Sequence, residues 1–437
     1  MYKWDFFGKH RSFCAQNFAP YEGFVRRAAK IHNASEKFMG RRLTSMLMER
    51  TMFRHLVGGE RRDQIDRISR RLMRYNVQMM IVPPMEDLSE TLSSDVLSGC
   101  RRNMNKYLSF IELSRDISKV HNQQAVLQFK LSAVIPTYSM NQLSDIIRQQ
   151  KIPLSEIAVM VSEVFQSKPE DLTTACSDIP SSEMSSMLEG LQLAGKIFKK
   201  GIQDGIPLLI DAELIQSHPA MFAVYLAAAK QYANTDPIQL FVTFQCYCKD
   251  TPEELKNCQT AAQALGVPFG AKLVRGAYME SERAFAATKG RPSPICGDAG
   301  ATSAVYDAAV EHMLKAVHAD PNRNAVFICT HNQQSIEKAV QRMASLGLDK
   351  NHSKVNFAQI FGMCDHISTH LGQSGYRVYK STPYGSAEEW IPYLARRASE
   401  NHVALLTARN EVPFYRQELK RRILPWTGSR SDTKSYA

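Results

Sequence analysis

A chain of 437 residues, 44% of them hydrophobic, can bury a large core as one big domain or two ordinary ones. No run approaches the roughly 20 uninterrupted apolar residues that a membrane-spanning helix needs, and no signal-peptide pattern opens the sequence, so the chain reads as soluble. Nine scattered cysteines without zinc-ribbon spacing read as reduced thiols rather than metal ligands, and the formal net charge of +11 comes without any nucleic-acid-binding motif.

The positive charge gathers near the start. Arg41, Arg42, Arg50, Arg54, Arg61, Arg62, Arg67, Arg70, Arg71 and Arg74 alternate with Leu43, Met46, Leu47, Phe53, Ile65, Ile68 and Leu72. That spacing predicts a helical arm over 1–75 with a basic polar face. The face is either solvated or drawn to an anionic membrane surface, where each clustered cation gains roughly 1 kcal/mol. The first 60 residues are also poor in acids, as the remnant of an organellar presequence would be.

Eight short apolar segments follow, separated by helical patterns. They begin at Val77, Val126, Pro207, Leu240, Phe269, Ala325, Lys354 and Tyr376. Nearly continuous hydrophobic runs suit strands buried on both faces, and the amphipathic stretches between them suit crossover helices, so the expected sheet is parallel. Eight such units can close into a (β/α)₈ TIM barrel over 76–425, with an open doubly wound sheet as the alternative and 426–437 as a tail. One connection is too long. From Pro136 to Gly205 about 70 residues stand where a βαβ crossover needs about a dozen, and "LSEIAVMVSEVF" and "SSMLEGLQLAGKIF" read as inserted helices.

In a barrel of this kind the chemistry sits at the carboxyl ends of the strands. Those ends are polar here: Lys130 in the second segment, Asp211 after the third, Gln245 after the fourth, Lys272 and Arg275 in the fifth, and Thr330 with His331 after the sixth. Each taken alone can be an ordinary helix-capping or strand-end residue; seven converging on one rim suggest a site. No G-x-G-x-x-G follows a strand, which argues against a Rossmann dinucleotide site, and no P-loop is present. Gly276 and Ala277 offer another way to bring backbone close to a cofactor.

Near the end, Ser386 and Glu389 form a capping-box pattern that starts a helix, with Trp390, Ile391, Leu394, Ala395 and Ala398 as its buried face and Pro392 predicting a kink or late start. Arg396 and Arg397 lie on it, Glu400 one turn beyond Arg396. Two adjacent guanidinium groups either face solvent or bind a small carboxylate bidentately.

The motifs "KLVRGAYMESERA", "DAE", "TFQ", "CTHN", "FAQIFGMCDHIS", "LGQSGY" and "PYGSAEEWIPYLARRASEN" resemble the proline dehydrogenase family, flavoenzymes with a distorted (β/α)₈ barrel. The resemblance runs from about Met39 onward. It implies that Arg396, Arg397 and Lys130 clamp the carboxylate of a cyclic imino acid, with Asp211 near substrate and flavin. Gln245 would meet the pyrimidine edge of FAD, Lys272 and Arg275 its ring and phosphates, and Thr330, His331, Asn332, Gln359 and Glu400 would help hold it. Tyr278 and Ile360 would wall the substrate pocket. Bacterial relatives carry the two cations of the fifth strand in the opposite order. Within the family, Ser381 stands where proline-oxidising members carry a tyrosine, and "KSTPYGSAEE" resembles the branch that oxidises hydroxyproline. A serine leaves room beside ring carbon four and offers a hydroxyl partner. The resemblance thus implies hydroxyproline as substrate, L-proline as the alternative, ubiquinone as electron acceptor, and a mitochondrial location on the matrix side of the inner membrane. A barrel that only binds, through its basic arm, is the reading from another class.

Overall fold

The computed structural model describes Gly40 and residues 56–85, 96–233, 237–386 and 389–390. Apart from Gly40 these fall in one compact unit. Eight parallel strands close in chain order: β1 (Val77–Val82), β2 (Val126–Phe129), β3 (Leu208–Ile210), β4 (Leu240–Gln245), β5 (Phe269–Val274), β6 (Asn324–Cys329), β7 (Val355–Ile360) and β8 (Val378–Pro383). All eight apolar segments are strands, and the open sheet is set aside. The seam is long, with six residue pairs from Val77↔Val378 to Val82↔Pro383.

Alternation along each strand sorts residues into two sets. Met80, Val126, Leu209, Phe241, Phe327, Ala358 and Tyr379 form a small cluster inside the barrel, while Met79, Leu127, Leu208, Val242 and Val378 belong to the larger core under the helices. Gly270 makes room for this interior: a Cβ there would lie 2.2 Å from the Leu240 carbonyl oxygen and 2.8 Å from the Phe241 ring.

The helices are α1 (Arg62–Met73), α2 (Val96–His121), α3 (Thr137–Gln150), α4 (Leu154–Val164), α5 (Glu170–Ala175), α6 (Ser181–Gln203), α7 (His218–Tyr232), α8 (Thr251–Ala264), α9 (Met279–Thr288), α10 (Ala299–Ala319), α11 (Gln333–Ser345) and α12 (Asp365–Gln373). Between β2 and β3 stand four of them. α6 packs on α2 and leads back to the sheet, while α4 packs on α7, so the insertion is a helical layer rather than a loop. Gly190 of α6 sits so close to the loop after β2 that a Cβ would lie 2.9 Å from the Ile135 Cα.

The described part of the basic arm packs on the barrel. α1 buries Ile65, Ser69 and Leu72 against the outer side of β1. Just before it, the Gly58 N–H donates to the Pro383 carbonyl at 2.7 Å and Gly59 pairs with Tyr384, which ties the start of α1 to the end of β8. Its charged face is part neutralised, with Arg62 on Asp66 at 3.1 Å and Arg67 on Asp63 at 2.9 Å. Arg41, Arg42, Arg50, Arg54 and the tail 426–437 lie outside the described residues. Among the described residues no helix is long and apolar enough to cross a membrane.

Candidate active site

Strand alternation places Lys272 inside the barrel, since Ala271 and Leu273 belong to the outer core. Its ammonium lies 2.5 Å from Asp211 Oδ1, with both side chains largely withdrawn from solvent. Asp211 is held at the rim by its own backbone N–H, which donates to the Phe129 carbonyl at 2.8 Å. Lys130, one residue past β2, lies 3.5 Å from Glu213. Burial works against the charge of Lys130, but Glu213, Tyr278 and Asp211 outweigh it, so its pKa is raised and the ammonium persists. Its backbone N–H donates to the Tyr107 hydroxyl of α2 at 3.0 Å. Two cations and two carboxylates therefore share this part of the rim.

Gln245 is buried and held at both ends of its amide. Nε2 donates to the Glu213 carbonyl at 2.6 Å and lies 3.3 Å from His218 Nε2, while Oε1 accepts from the Tyr247 hydroxyl at 3.0 Å. An amide oxygen has two lone pairs, so Gln245 retains one acceptor position for a ligand. The Tyr247 ring explains the glycine next door. At Gly276, φ +132°, a Cβ would fall 1.3 Å from Tyr247 Cε1. The missing side chain is filled by this aromatic ring, whose hydroxyl also accepts from the Tyr278 backbone N–H at 3.3 Å. Packing against this ring is by itself a structural reason for Gly276; Ala277 stands half-buried beside it.

Arg275 turns the other way. Beyond the end of β5 its guanidinium donates to three hydroxyls, Thr330 at 3.3 Å, Ser303 at 3.0 Å and Ser335 at 3.0 Å, and lies over the Tyr306 ring. Ser303 is in the second turn of α10 and Ser335 in the first turn of α11. Asn332 caps α11, accepting from the Ser335 N–H at 2.9 Å, while its own N–H donates to Thr330 Oγ1 at 3.1 Å. Ser335 in turn donates to Asp307 at 2.6 Å and Ser303 to the Ala299 carbonyl at 2.8 Å, so the groups suited to phosphate oxygens are the Arg275 guanidinium, the Thr330 hydroxyl and the N-terminus of the 13-residue helix.

At the end of β7, the Ile360 N–H donates to His331 Nε2 at 3.0 Å. Burial, and then the Lys380 ammonium, push the His331 pKa down to about 4, so the imidazole is neutral and carries its proton on Nδ1. Gln359 faces the helices, donating to the Thr330 carbonyl at 3.4 Å and accepting from Ser368 at 2.8 Å. Lys380 of β8 is 2.8 Å from Asp365 and donates to the Ile360 and Met363 carbonyls. Ser381, two residues after the interior Tyr379, shares its face, and its Oγ accepts from Gln128 Nε2 at 3.0 Å.

The rim thus brings together Lys130, Asp211, Gln245, Lys272, Ile360 and Ser381 on interior positions, and Arg275, Thr330, His331 and Asn332 around the starts of the following helices. The capping box forms as expected: Glu389 Oε2 accepts from the Ser386 N–H and hydroxyl at 3.0 Å each. Arg396, Arg397 and Glu400 lie outside the described residues. Glu213, Tyr107, Tyr247, His218 and Gln128 are additional participants. Of these only Glu213 had a sequence signal, the "DAE" motif. Among the described residues no group of three or more His, Cys, Asp or Glu is placed to hold a metal.

A parallel eight-stranded barrel with paired charges and a phosphate-type donor set at its carboxyl rim defines the cofactor-using (β/α)₈ enzymes as the class. The chain belongs to the proline dehydrogenase family, whose pattern matches residues 90–409. It is accordingly an oxidoreductase, a flavin-dependent imino-acid dehydrogenase. It is 33% identical over 409 residues to hydroxyproline dehydrogenase of Xenopus laevis, covering 92% of this chain and 84% of that one, and 31% identical over 395 residues to the Homo sapiens protein of the same name, covering 90% and 85%. It is also 31% identical over 341 residues to proline dehydrogenase 2, mitochondrial, of Arabidopsis thaliana, covering 75% and 70%. Among solved structures, proline utilization A from Bdellovibrio bacteriovorus inactivated by N-propargylglycine superposes with a TM-score of 0.63 at 17% identity, covering 90% of this chain. The chain spans 37% of that longer protein, and the likeness is one of fold.

Proposed function

We propose that the chain oxidises trans-4-hydroxy-L-proline to 1-pyrroline-3-hydroxy-5-carboxylate using FAD, in mitochondria on the matrix side of the inner membrane, and passes the electrons to ubiquinone. The observation that carries the substrate reading is Ser381, a hydroxyl on an interior position where β8 reaches the rim. The names of the two hydroxyproline dehydrogenases above point the same way. The mitochondrial reading rests on the name of the Arabidopsis relative, and the quinone reading on family resemblance.

The residues fit a flavin dinucleotide. Arg275, Thr330 and the start of α11 suit its phosphates, Gln245 has an acceptor position left, and His331 offers its Nδ1–H. Lys272, on an interior position, suits the ring, and Arg275, turned to the helix starts, suits the phosphates, which supports that division of roles between the two cations. When bound, FAD accepts the hydride lost by the ring carbon beside the substrate nitrogen.

The chain's own residues do the rest. Lys130 stays charged and attracts the substrate carboxylate, and fixing that carboxylate aims the ring; well-oriented reactants recover up to about 7 to 11 kcal/mol of a barrier. The substrate nitrogen must be neutral to push with its lone pair, and it gives up its remaining proton as the C=N bond forms. Lys272 supplies a fixed positive charge where negative charge develops. The sequence expectation adds Arg396 and Arg397 to the carboxylate contacts.

The test uses purified protein. It should be yellow, its flavin absorbance should bleach anaerobically with hydroxyproline, and kcat/KM with a quinone acceptor should be higher for hydroxyproline than for L-proline. Preference for L-proline would make the chain a proline dehydrogenase, and protein that cannot be reconstituted with FAD would overturn the cofactor assignment.

A further inference from the structure

Gln128 reaches across the barrel interior from β2 to β8, over the intervening strand. Its Nε2 lies 2.9 Å from Met80 Sδ of β1 and 3.0 Å from Ser381 Oγ. Both hydrogens of the amide are thereby directed, one at the sulfur and one at the hydroxyl oxygen. Met80 fixes the sense of the amide, because the opposite orientation would press the carbonyl oxygen against a thioether that has no proton to give. Ser381 Oγ makes no other hydrogen bond among the described residues, and its backbone carbonyl is occupied by the Phe361 N–H at 2.9 Å. A hydroxyl that already accepts from Gln128 has its proton left to donate. Gln128 is neither a strand-end residue nor a charged one, and none of the roles above uses it.

We propose that Gln128 is a positioning residue for substrate choice: by donating to Ser381 Oγ it turns the Ser381 proton toward the hydroxyl oxygen on ring carbon four. This rests on the hydroxyproline reading above. Gln128 meets the substrate only through Ser381, so its contribution to discrimination exists only while Ser381 is present. Losing the orienting bond lets the Ser381 hydroxyl rotate, and discrimination falls by what one neutral hydrogen bond supplies, roughly two- to tenfold.

The experiment is a double-mutant cycle on the flavin-loaded enzyme, reading the ratio of kcat/KM for hydroxyproline over L-proline in the parent, Gln128→Leu, Ser381→Ala and the double variant. The ratio is expected to fall roughly two- to tenfold from parent to Gln128→Leu, and to stay the same from Ser381→Ala to the double variant. An equal ratio in parent and Gln128→Leu overturns the proposal, and so does an equal fall in both backgrounds, which would mean that Gln128 acts without Ser381. Should Gln128→Leu not hold flavin, Gln128→Met, an unbranched side chain of similar length with no amide, takes its place with the same expectations. Failure of the underlying reading shows separately, as a parent ratio that favours L-proline or that Ser381→Ala does not change.

Discussion

Ser381 is a small residue in a space lined by larger neighbours. On the proposed hydroxyproline reading, replacing it by tyrosine should fill the room beside ring carbon four and leave the substrate hydroxyl without a partner, at a cost of about 1 to 3 kcal/mol. The ratio of kcat/KM should then move toward L-proline by roughly one to two orders of magnitude; an unchanged ratio would remove Ser381 from the specificity argument. Gly276 obeys a different constraint. Gly276→Ala places a Cβ inside the Tyr247 ring at a backbone conformation that L side chains rarely adopt, so strain of about 1 to 3 kcal/mol is compounded by displacement of Tyr247. Urea denaturation should show the loss, and weaker flavin retention should accompany it because Tyr247 holds Gln245. His331 gives a pH signature. Its folded pKa of about 4 is below the unfolded value of about 6.5, so between these the unfolded chain takes up a proton that the folded imidazole refuses. Stability from this group is full above about 6.5 and is lost as pH falls toward 4. His331→Gln should flatten the measured stability between those values, by up to one proton's worth of slope.

At the scale of elements, side chains behind the rim set positions on it. α2 supplies the Tyr107 hydroxyl that accepts from the Lys130 N–H. Tyr107→Phe keeps the ring packed edge-on against Phe129 but leaves that N–H without this partner, a loss of about 1 to 3 kcal/mol. A lowered urea midpoint together with a raised KM is expected; a change in midpoint alone would confine Tyr107 to a structural role. These couplings also mark where the sequence stopped being readable. The strands were legible because burial on both faces produces continuous apolar runs, and the insertion because its length exceeds any crossover. The rim cations and Asp211 were legible because charge is unusual at the end of an apolar run. Gln128, Tyr107 and Tyr247 carry no such contrast. Glutamine and tyrosine are common in any context, and only the closed barrel brings Gln128 to Ser381, or the Tyr247 ring into the space at Gly276.

At the scale of the molecule, the site depends on closure. Gln128 and Ser381 stand 253 positions apart in sequence, and β8 bonds to both β7 and β1. The seam between the first and last strands, with α1 against β1 and tied to the end of β8, has a consequence for how the protein is made. Until β8 leaves the ribosome, the growing chain holds an open parallel sheet with bare hydrogen-bonding edges at β1 and β7, a template for mispairing with other chains. Such non-local pairing is slow, because loop-closure entropy is lost before the contacts form. Nascent chains should therefore spend most of synthesis in need of a chaperone. A version stopped before Tyr376 should scatter light or be retained by a holdase chaperone, and supplying the missing segment in trans should relieve the scattering. A clear, monodisperse truncated chain would show that the first seven strands protect their own edges.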